Sequence, residues 1–145
     1  MSKRKFGEKN NISYVIWDVR DYQRTLESLR WVDYVFHLAA LKHVPVCEEH
    51  PWESVQTNIT WTENIIKASI HQDVKMVIDV STDKACNPIN VYWSCKSVWE
   101  KLIIQANKKE WITKFVCVRA WNVMGTNGSI IPFFKDLLRE WKTLP

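Results

Sequence analysis

The 145-residue chain is the size of one domain; it has a net charge of +4 and is 46% hydrophobic and 25% charged, as is ordinary for a globular protein. The positive charge comes partly from the first nine residues and otherwise from scattered lysines, so no basic stripe predicts nucleic-acid binding. No apolar run approaches the roughly 20 residues of a membrane span, and no signal peptide is predicted. Four cysteines without C-x-x-C spacing predict reduced thiols in the cytoplasm, and no metal site is predicted from the histidines and cysteines.

Apolar runs and helical patterns alternate along the chain. In chain order they predict strand 12–16, helix 22–29, strand 34–38, helix 52–71, strand 75–80, helix 91–107, strand 114–118 and helix 130–140. Asp21 is a suitable N-cap for the first helix, and Pro132 fits the first turn of the last. This alternation predicts an α/β domain with a parallel sheet covered by helices on both faces.

The polar residues whose side chains could take part in catalysis or binding fall in the loops that follow the predicted strands. These loops are 17–21, 39–46, 81–90 and 120–129. Ligands of doubly wound sheets bind beyond the carboxyl ends of the strands. The loops therefore predict a binding site at that edge of the sheet.

Tyr92 and Lys96 are four residues apart at the start of a predicted helix, so their side chains share one face. A nearby ammonium favours the phenolate of a tyrosine, whose ordinary pKa is about 10. Such a pair can act as an acid–base couple for alcohol–carbonyl chemistry. A pair of solvated helix residues is the alternative.

Carboxylates follow the first and third predicted strands. Asp83 precedes Lys84, and this adjacent pair can supply a general acid and a general base. A solvated turn in which Asp83 caps backbone N–H groups is the alternative. Asp18 is placed to meet the adenine edge of a dinucleotide or to serve as a turn residue.

Small and basic residues close the second predicted strand. Ala39 and Ala40 would permit close approach of a dinucleotide, although simple packing also accounts for them. Lys42 and His43 in the next loop can reach a phosphate or a sugar hydroxyl. His37, on the strand, is predicted to be a core histidine rather than a ligand.

Four phrases of the chain together resemble one protein family. They are D-V-R-D at 18–21, V-D-Y-V-F-H-L-A-A-L-K-H-V-P at 32–45, S-T-D-K-A-C-N-P-I-N-V-Y at 81–92 and N-V-M-G-T-N-G-S-I-I-P-F-F at 122–134. They resemble the polysaccharide-biosynthesis branch of the extended short-chain dehydrogenases, which includes inverting UDP-N-acetylglucosamine 4,6-dehydratases. The resemblance implies a partial Rossmann-like, doubly wound parallel sheet that forms the central part of a longer enzyme.

The resemblance also implies a mechanism. Tyr92 would take the proton of the sugar 4-hydroxyl during oxidation by NAD(P), while Lys96 would hold the ribose and lower the pKa of Tyr92. Lys84 would remove the C5 proton, and Asp83 would protonate the departing 6-hydroxyl. Hydride would then return to C6.

Binding residues follow from the same resemblance. The substrate, a UDP-N-acetylhexosamine, would contact Lys42, His43, Thr82, Asn122 and Ser129. The dinucleotide, with NADP favoured over NAD, would be bound by Asp18, Val19, Ala39, Ala40, Asn58, Ser81, Tyr92 and Lys96. The full-length parent would be a homo-oligomer.

The chain departs from the family in having no Gly-rich phosphate-binding turn. The first two strands of the family's sheet are also absent. We therefore expect the 145-residue chain alone to be inactive, and measurable NAD(P) binding by it would contradict this expectation. Two other functions stay open, a nucleotide-sugar 4-epimerase and a non-catalytic Rossmann-like remnant.

Tryptophan, with nine copies against three glycines, is the second departure. It stands where the family has glycine at 17, 61, 93, 121 and 141, with loop positions 31 and 111 of the same kind, and Trp99 replaces a small residue. Chance divergence is one interpretation. The other is that UGA codons read as glycine in the source were translated as tryptophan, which the codons themselves decide. Real indoles beside Tyr92 and Asn122 would crowd the site.

Overall fold

A computed structural model describes residues 12–109, 112–121 and 130–140. Its strands are β1 (Tyr34–His37), β2 (Met76–Thr82) and β3 (Lys114–Ala120). Its α-helices are α1 (Tyr22–Ser28), α2 (Val44–Glu49), α3 (Pro51–Val55), α4 (Trp61–His71), α5 (Val91–Ala106) and α6 (Ile130–Arg139). A π-helical turn (Gln56–Thr60) joins α3 to α4, and a 3-10 turn (Asp83–Cys86) follows β2.

The described strands form one parallel sheet in the order β1-β2-β3. In its register, Phe36 neighbours Ile78, which in turn neighbours Val116. The predicted α/β class with a parallel sheet is therefore confirmed. The loops that leave β1, β2 and β3 all emerge at one edge, because parallel strands share their carboxyl ends.

The core lies on the face of the sheet that α4 and α5 cover. Trp99 and Ile103 of α5 are fully buried there, against Val77 of β2 and Phe115 of β3. Burial of each such side chain contributes about 2–3 kcal/mol. The turns that start the helices agree with their sequence, since the side chain of Asp21 accepts a hydrogen bond from the backbone N–H of Arg24 at 3.0 Å. The predicted N-cap is confirmed.

The strand predicted at 12–16 is wrong. This segment carries no strand hydrogen bonding, and Ile16 is 96% exposed. A cavity of about 500 Å³, lined by Ile16, Trp17, Val35 and other apolar residues, lies between the segment and β1. A strand needs a hydrogen-bonded neighbour, and the part of the chain that the structure describes places none beside this segment.

The loop predicted at 39–46 is shorter than expected, because α2 begins at Val44. Pro45 lies in its first turn, where a missing N–H costs nothing. The helix predicted at 52–71 is present but interrupted by the π-helical turn. Such a turn inserts one extra residue and marks a site where outside contacts compete with the helix.

Three of the tryptophans that replace expected glycines fit their positions poorly. Trp31 has a φ of 65°, in the left-handed region that favours glycine. The indole N–H groups of Trp17 and Trp61 are buried, and no hydrogen-bond partner for them occurs among the described residues. A buried donor without a partner costs about 1–3 kcal/mol. The local structure therefore agrees with a preference for small residues at these positions.

Candidate functional site

A cleft of about 320 Å³ lies at the carboxyl ends of β2 and β3. Its lining includes Ala40, Lys42, Ser81, Thr82, Tyr92 and Lys96, all of them predicted from the sequence. Trp121, directly after β3, also lines the cleft and is 78% exposed. The volume is at the small end for a ligand pocket, and the expected crowding by an indole next to residue 122 stays a prediction.

Helix α5 places Tyr92 and Lys96 at the cleft. Its first turn is fixed by Asn90, whose side chain accepts a hydrogen bond from the backbone N–H of Trp93 at 2.9 Å. Tyr92 is half-buried, and burial, with a smaller effect of Cys47, raises the pKa of its phenol. Lys96 is not among the causes of this shift, so the expected lowering of the Tyr92 pKa by Lys96 stays a prediction.

The ammonium of Lys96 is held by the core rather than by Tyr92. Lys96 is 3% exposed, and its Nζ donates to the backbone carbonyl of Val80 at 2.9 Å. The same Nζ lies 3.1 Å from the centroid of the Trp99 ring. Burial lowers the pKa of Lys96 to about 8, against the raising effects of Asp79, Cys117 and Glu100.

Thr82, Asp83 and Lys84 form a compact hydrogen-bonded group at the end of β2. The Thr82 hydroxyl donates to Asp83 Oδ1 at 3.0 Å, and Lys84 Nζ reaches the same oxygen at 3.1 Å. The backbone N–H of Lys84 donates to the Thr82 hydroxyl at 3.4 Å. The Lys84 ammonium, more than any other group, lowers the pKa of Asp83. Asp83 and Lys84 thus form an ion pair next to Thr82, which lines the cleft.

Asn58 clamps the loop after β1. It lies fully buried in the π-helical turn. Its Oδ1 accepts from the backbone N–H of Leu41 at 2.9 Å, and its Nδ2 donates to the Leu41 carbonyl at 3.1 Å. Its Nδ2 also donates to the Ser54 hydroxyl at 3.2 Å. Of the two roles expected for Asn58, the contacts therefore support holding the surroundings of the site in place.

The other predicted residues are spread around this edge of the sheet. Asp18 makes a bidentate pair with Arg20, which lowers the pKa of Asp18 to about 2, and also accepts from the backbone N–H of Arg20. This is the arrangement of a turn residue. Val19 and Ala39 line the larger cavity beside β1 rather than the cleft. His43 is exposed at the N-cap of α2, without a capping hydrogen bond from its side chain.

Asn122 and Ser129 lie outside the described residues. Sequence reasoning missed Glu100 and Arg119, which form a bidentate ion pair at 3.0 and 2.8 Å between α5 and β3. Glu100 is 5% exposed. Its place four residues after Lys96 was the available signal, because residues at that spacing share a helix face.

Comparisons with known proteins identify the family of the chain. The family described as "Polysaccharide biosynthesis protein" matches residues 1–145. The chain belongs to this family. It is 45% identical, over 141 residues, to a UDP-N-acetylglucosamine 4,6-dehydratase (inverting) from Campylobacter jejuni, covering 94% of this chain and 42% of the relative. It is 42% identical, over 135 residues, to a UDP-glucose 4-epimerase from Rickettsia canadensis, covering 92% of this chain and 40% of that relative. The chain thus spans about two fifths of these relatives.

Solved structures share the fold. Pen from Bacillus thuringiensis is 45% identical with a TM-score of 0.91, covering 96% of this chain and 45% of that chain. A dTDP-glucose 4,6-dehydratase from Streptomyces venezuelae, with NAD bound, has a TM-score of 0.82 at 20% identity. The match covers 95% of this chain and 48% of that chain. The predicted Rossmann-like class is confirmed by these likenesses. In the described part of the chain, no helix is both long and apolar enough to cross a membrane.

Proposed function

We propose that the chain is the central part of a cytoplasmic nucleotide-sugar 4,6-dehydratase that removes water from a UDP-N-acetylhexosamine in glycan biosynthesis. The observation that carries this proposal is the Asp83–Lys84 ion pair beside the cleft of Tyr92 and Lys96. The 45% identity with a dehydratase of this substrate class supports it. The four free cysteines fit a reducing compartment.

The ion pair holds the one proton that the elimination needs. Removal of the C5 proton requires a neutral Lys84, and expulsion of the 6-hydroxyl requires a protonated Asp83. Transfer of a proton from Lys84 Nζ to Asp83 Oδ1, across the 3.1 Å contact, would produce both forms at once. In this structure the ion pair opposes that transfer, because the Lys84 ammonium lowers the pKa of Asp83. The C5 proton then recharges Lys84 while Asp83 gives its proton to the departing hydroxyl, so water leaves and the ion pair returns.

Substrate binding favours that transfer. The two side chains are 34% and 39% exposed, so water now stabilises their charges. A sugar that covers the pair removes this water and disfavours both charged forms. Thr82, through its hydrogen bond to Asp83 Oδ1, keeps the carboxyl group oriented during the exchange.

The residues at the cleft fit the reactive end of a nicotinamide dinucleotide. Ala40 leaves room for close approach, and Tyr92 and the buried Lys96 both line the cleft. When bound, the dinucleotide would accept a hydride from the sugar and return it. Tyr92 would take the 4-hydroxyl proton as the phenolate, a form that burial of its phenol disfavours in this structure, and Lys96 would hold the ribose. The choice of NADP over NAD stays a prediction.

The experiment is incubation of a full-length protein carrying this segment with UDP-N-acetylglucosamine and either NAD or NADP. We expect a 4-keto-6-deoxy product by mass spectrometry. Lys84→Met should lower the rate of water loss by about 10²–10⁴-fold, the usual contribution of a general base. Lys75→Met is the matched control, because Lys75 pairs with Asp33 on the surface, and it should leave the rate unchanged.

An epimerase is the second candidate, because a UDP-glucose 4-epimerase is 42% identical to the chain. Epimerisation needs the Tyr92–Lys96 couple but no residue to remove a C5 proton. The same incubation separates the two. A C4-inverted sugar that keeps its 6-hydroxyl, formed at the same rate by Lys84→Met, would replace the dehydratase proposal.

A further inference from the structure

Behind the cleft, side chains from all three strands and from α5 meet at the carboxylate of Asp79. Asp79 is fully buried in β2. The indole N–H of Trp99 donates to its Oδ1, and the Cys117 thiol donates to its Oδ2 at 3.4 Å. His37 Nδ1 lies 2.8 Å from its Oδ1. Burial of a carboxylate costs several kcal/mol unless hydrogen bonds and an opposite charge offset it, and a nearby cation would supply that charge.

Lys96 is the cation next to the cluster. Its ammonium rests on the Trp99 ring, 3.1 Å from the centroid, and donates to the carbonyl of Val80, the neighbour of Asp79 in β2. The His37 ring stacks on Trp99 with centroids 4.3 Å apart. Trp99 is therefore held by Asp79 through its N–H and by His37 through its ring, while its π face contacts the ammonium.

We propose that Asp79 is the positioning residue of Lys96, fixing the Trp99 ring under the ammonium and supplying the buried negative charge that keeps the ammonium protonated. The inference rests on the proposed function, in which Lys96 holds the ribose beside Tyr92. Asp79 itself is behind Lys96 in the core, so it acts on the site through Lys96.

The charges around Lys96 agree with this role. The groups that face it are His37 on β1, Asp79 on β2, Cys117 on β3 and Glu100 on its own helix. Burial lowers the pKa of His37 below its usual range, so His37 is neutral at pH 7 and does not cancel the charge of Asp79. Of the groups that oppose the burial of Lys96, Asp79 acts most strongly on its pKa.

The test is direct titration of Lys96 by the ¹³Cε chemical shift in protein labelled with ¹³C-lysine, with the signal assigned through Lys96→Met. In Asp79→Asn we expect the pKa of Lys96 to fall by about one unit or more, a tenfold loss of proton affinity or greater, as for removal of a nearby opposite charge. Asp33→Asn is the matched control, since Asp33 is paired with Lys75 on the surface, and it should leave the titration unchanged. A folded Asp79→Asn protein with unchanged Lys96 titration would overturn the proposal.

Trp99→Phe tests the link through the ring. It keeps an aromatic face but removes the N–H donor, so the pKa of Lys96 should fall, by less than in Asp79→Asn. If Asp79→Asn does not fold, Trp99→Phe decides alone, and an unchanged Lys96 titration in it also overturns the proposal. A merely structural role for Asp79 would lower stability without moving this pKa. Because the titration needs no turnover, its outcome is independent of whether the full-length protein releases water from a sugar.

Discussion

At the scale of single residues, Trp31 shows a conflict between side chain and backbone. Its φ of 65° costs a non-glycine residue about 1–2 kcal/mol. Because its indole is 93% exposed, packing of the side chain offsets little of this cost. Trp31→Gly should therefore raise the free energy of unfolding by about 0.5–1 kcal/mol, after the larger chain entropy of unfolded glycine is counted. Urea denaturation measures the change.

The control for this prediction is Trp52→Gly. Trp52 is also exposed, at 70%, but lies in helix α3. There glycine should lower stability by about 1 kcal/mol. Equal destabilisation by both substitutions would show that the backbone of Trp31 is not strained.

Lys96 gives the fold a defined pH dependence. Its pKa is lowered from 10.5 to about 8, so between these values the unfolded chain binds more protons than the folded one. The contribution of Lys96 to the free energy of unfolding therefore increases as the pH rises past about 8. The increase is about 0.7 kcal/mol between about pH 7.5 and about pH 8.5. Above about pH 9 the thiols of Cys95 and Cys117, whose pKa values are raised, act in the opposite direction.

Urea denaturation of the chain and of Lys96→Met at these two pH values isolates the effect. The difference in unfolding free energy between the two proteins should change by about 0.7 kcal/mol. A difference that stays constant, or that changes with the opposite sign, would mean that Lys96 is solvated in the native protein.

At the scale of elements, the clamp formed by Asn58 links the π-helical turn to the loop after β1. Asn58→Ala leaves the backbone N–H and carbonyl of Leu41 without their partner and should cost about 2 kcal/mol of stability. The amide of Leu41 should also lose protection in hydrogen exchange.

Asn64→Ala is the matched control. The Nδ2 of Asn64 donates to the carbonyl of Arg20 at 3.0 Å, and loss of this bond should leave the Leu41 amide protected. If the Leu41 amide exchanges at the same rate in Asn58→Ala and in the unchanged chain, the clamp does not hold the loop.

Elements with a strong local pattern were predictable from the sequence. The short run of apolar, β-branched residues in β2 and the helical spacing of α5 predicted both elements to within two residues. These elements position Thr82, Tyr92 and Lys96. The π-helical turn was not predictable, because Asn58 forms its contacts with a loop 17 residues away. The segment 12–16 has the composition of a strand, but a strand forms only where a neighbouring strand pairs with it, and composition does not show whether one is present.

The orientation of the Lys96 side chain could not be predicted from the sequence, for a similar reason. A four-residue spacing on a helix predicts that Tyr92 and Lys96 share a face. It does not show that the ammonium turns to Val80 and Trp99. We infer that the orientation of the Lys96 side chain depends on Asp79. Asp79 lies in β2, a different element from the helix that carries Lys96, so the helical spacing does not reveal its effect.

At the scale of the whole molecule, helices cover one face of the sheet, and the described residues leave the other face open. Alternate residues of β1 and β2, among them His37 and Asp79, face the helices. In the described residues the opposite face leaves Phe36 65%, Val116 39% and Val118 45% exposed. Phe36, Ile78 and Val116 are neighbours across the strands, so the exposed groups form a continuous apolar patch. Such patches drive association.

We therefore expect the 145-residue chain to self-associate through this open face. Phe36→Lys places a charge at the patch and should shift the protein toward monomer in analytical ultracentrifugation. Ile112→Lys adds the same charge at another exposed residue, 70% accessible and before β3 rather than on its open face, and should leave association unchanged. If the unchanged chain is monomeric at every concentration, or if both variants dissociate equally, the open face is not the surface through which copies meet.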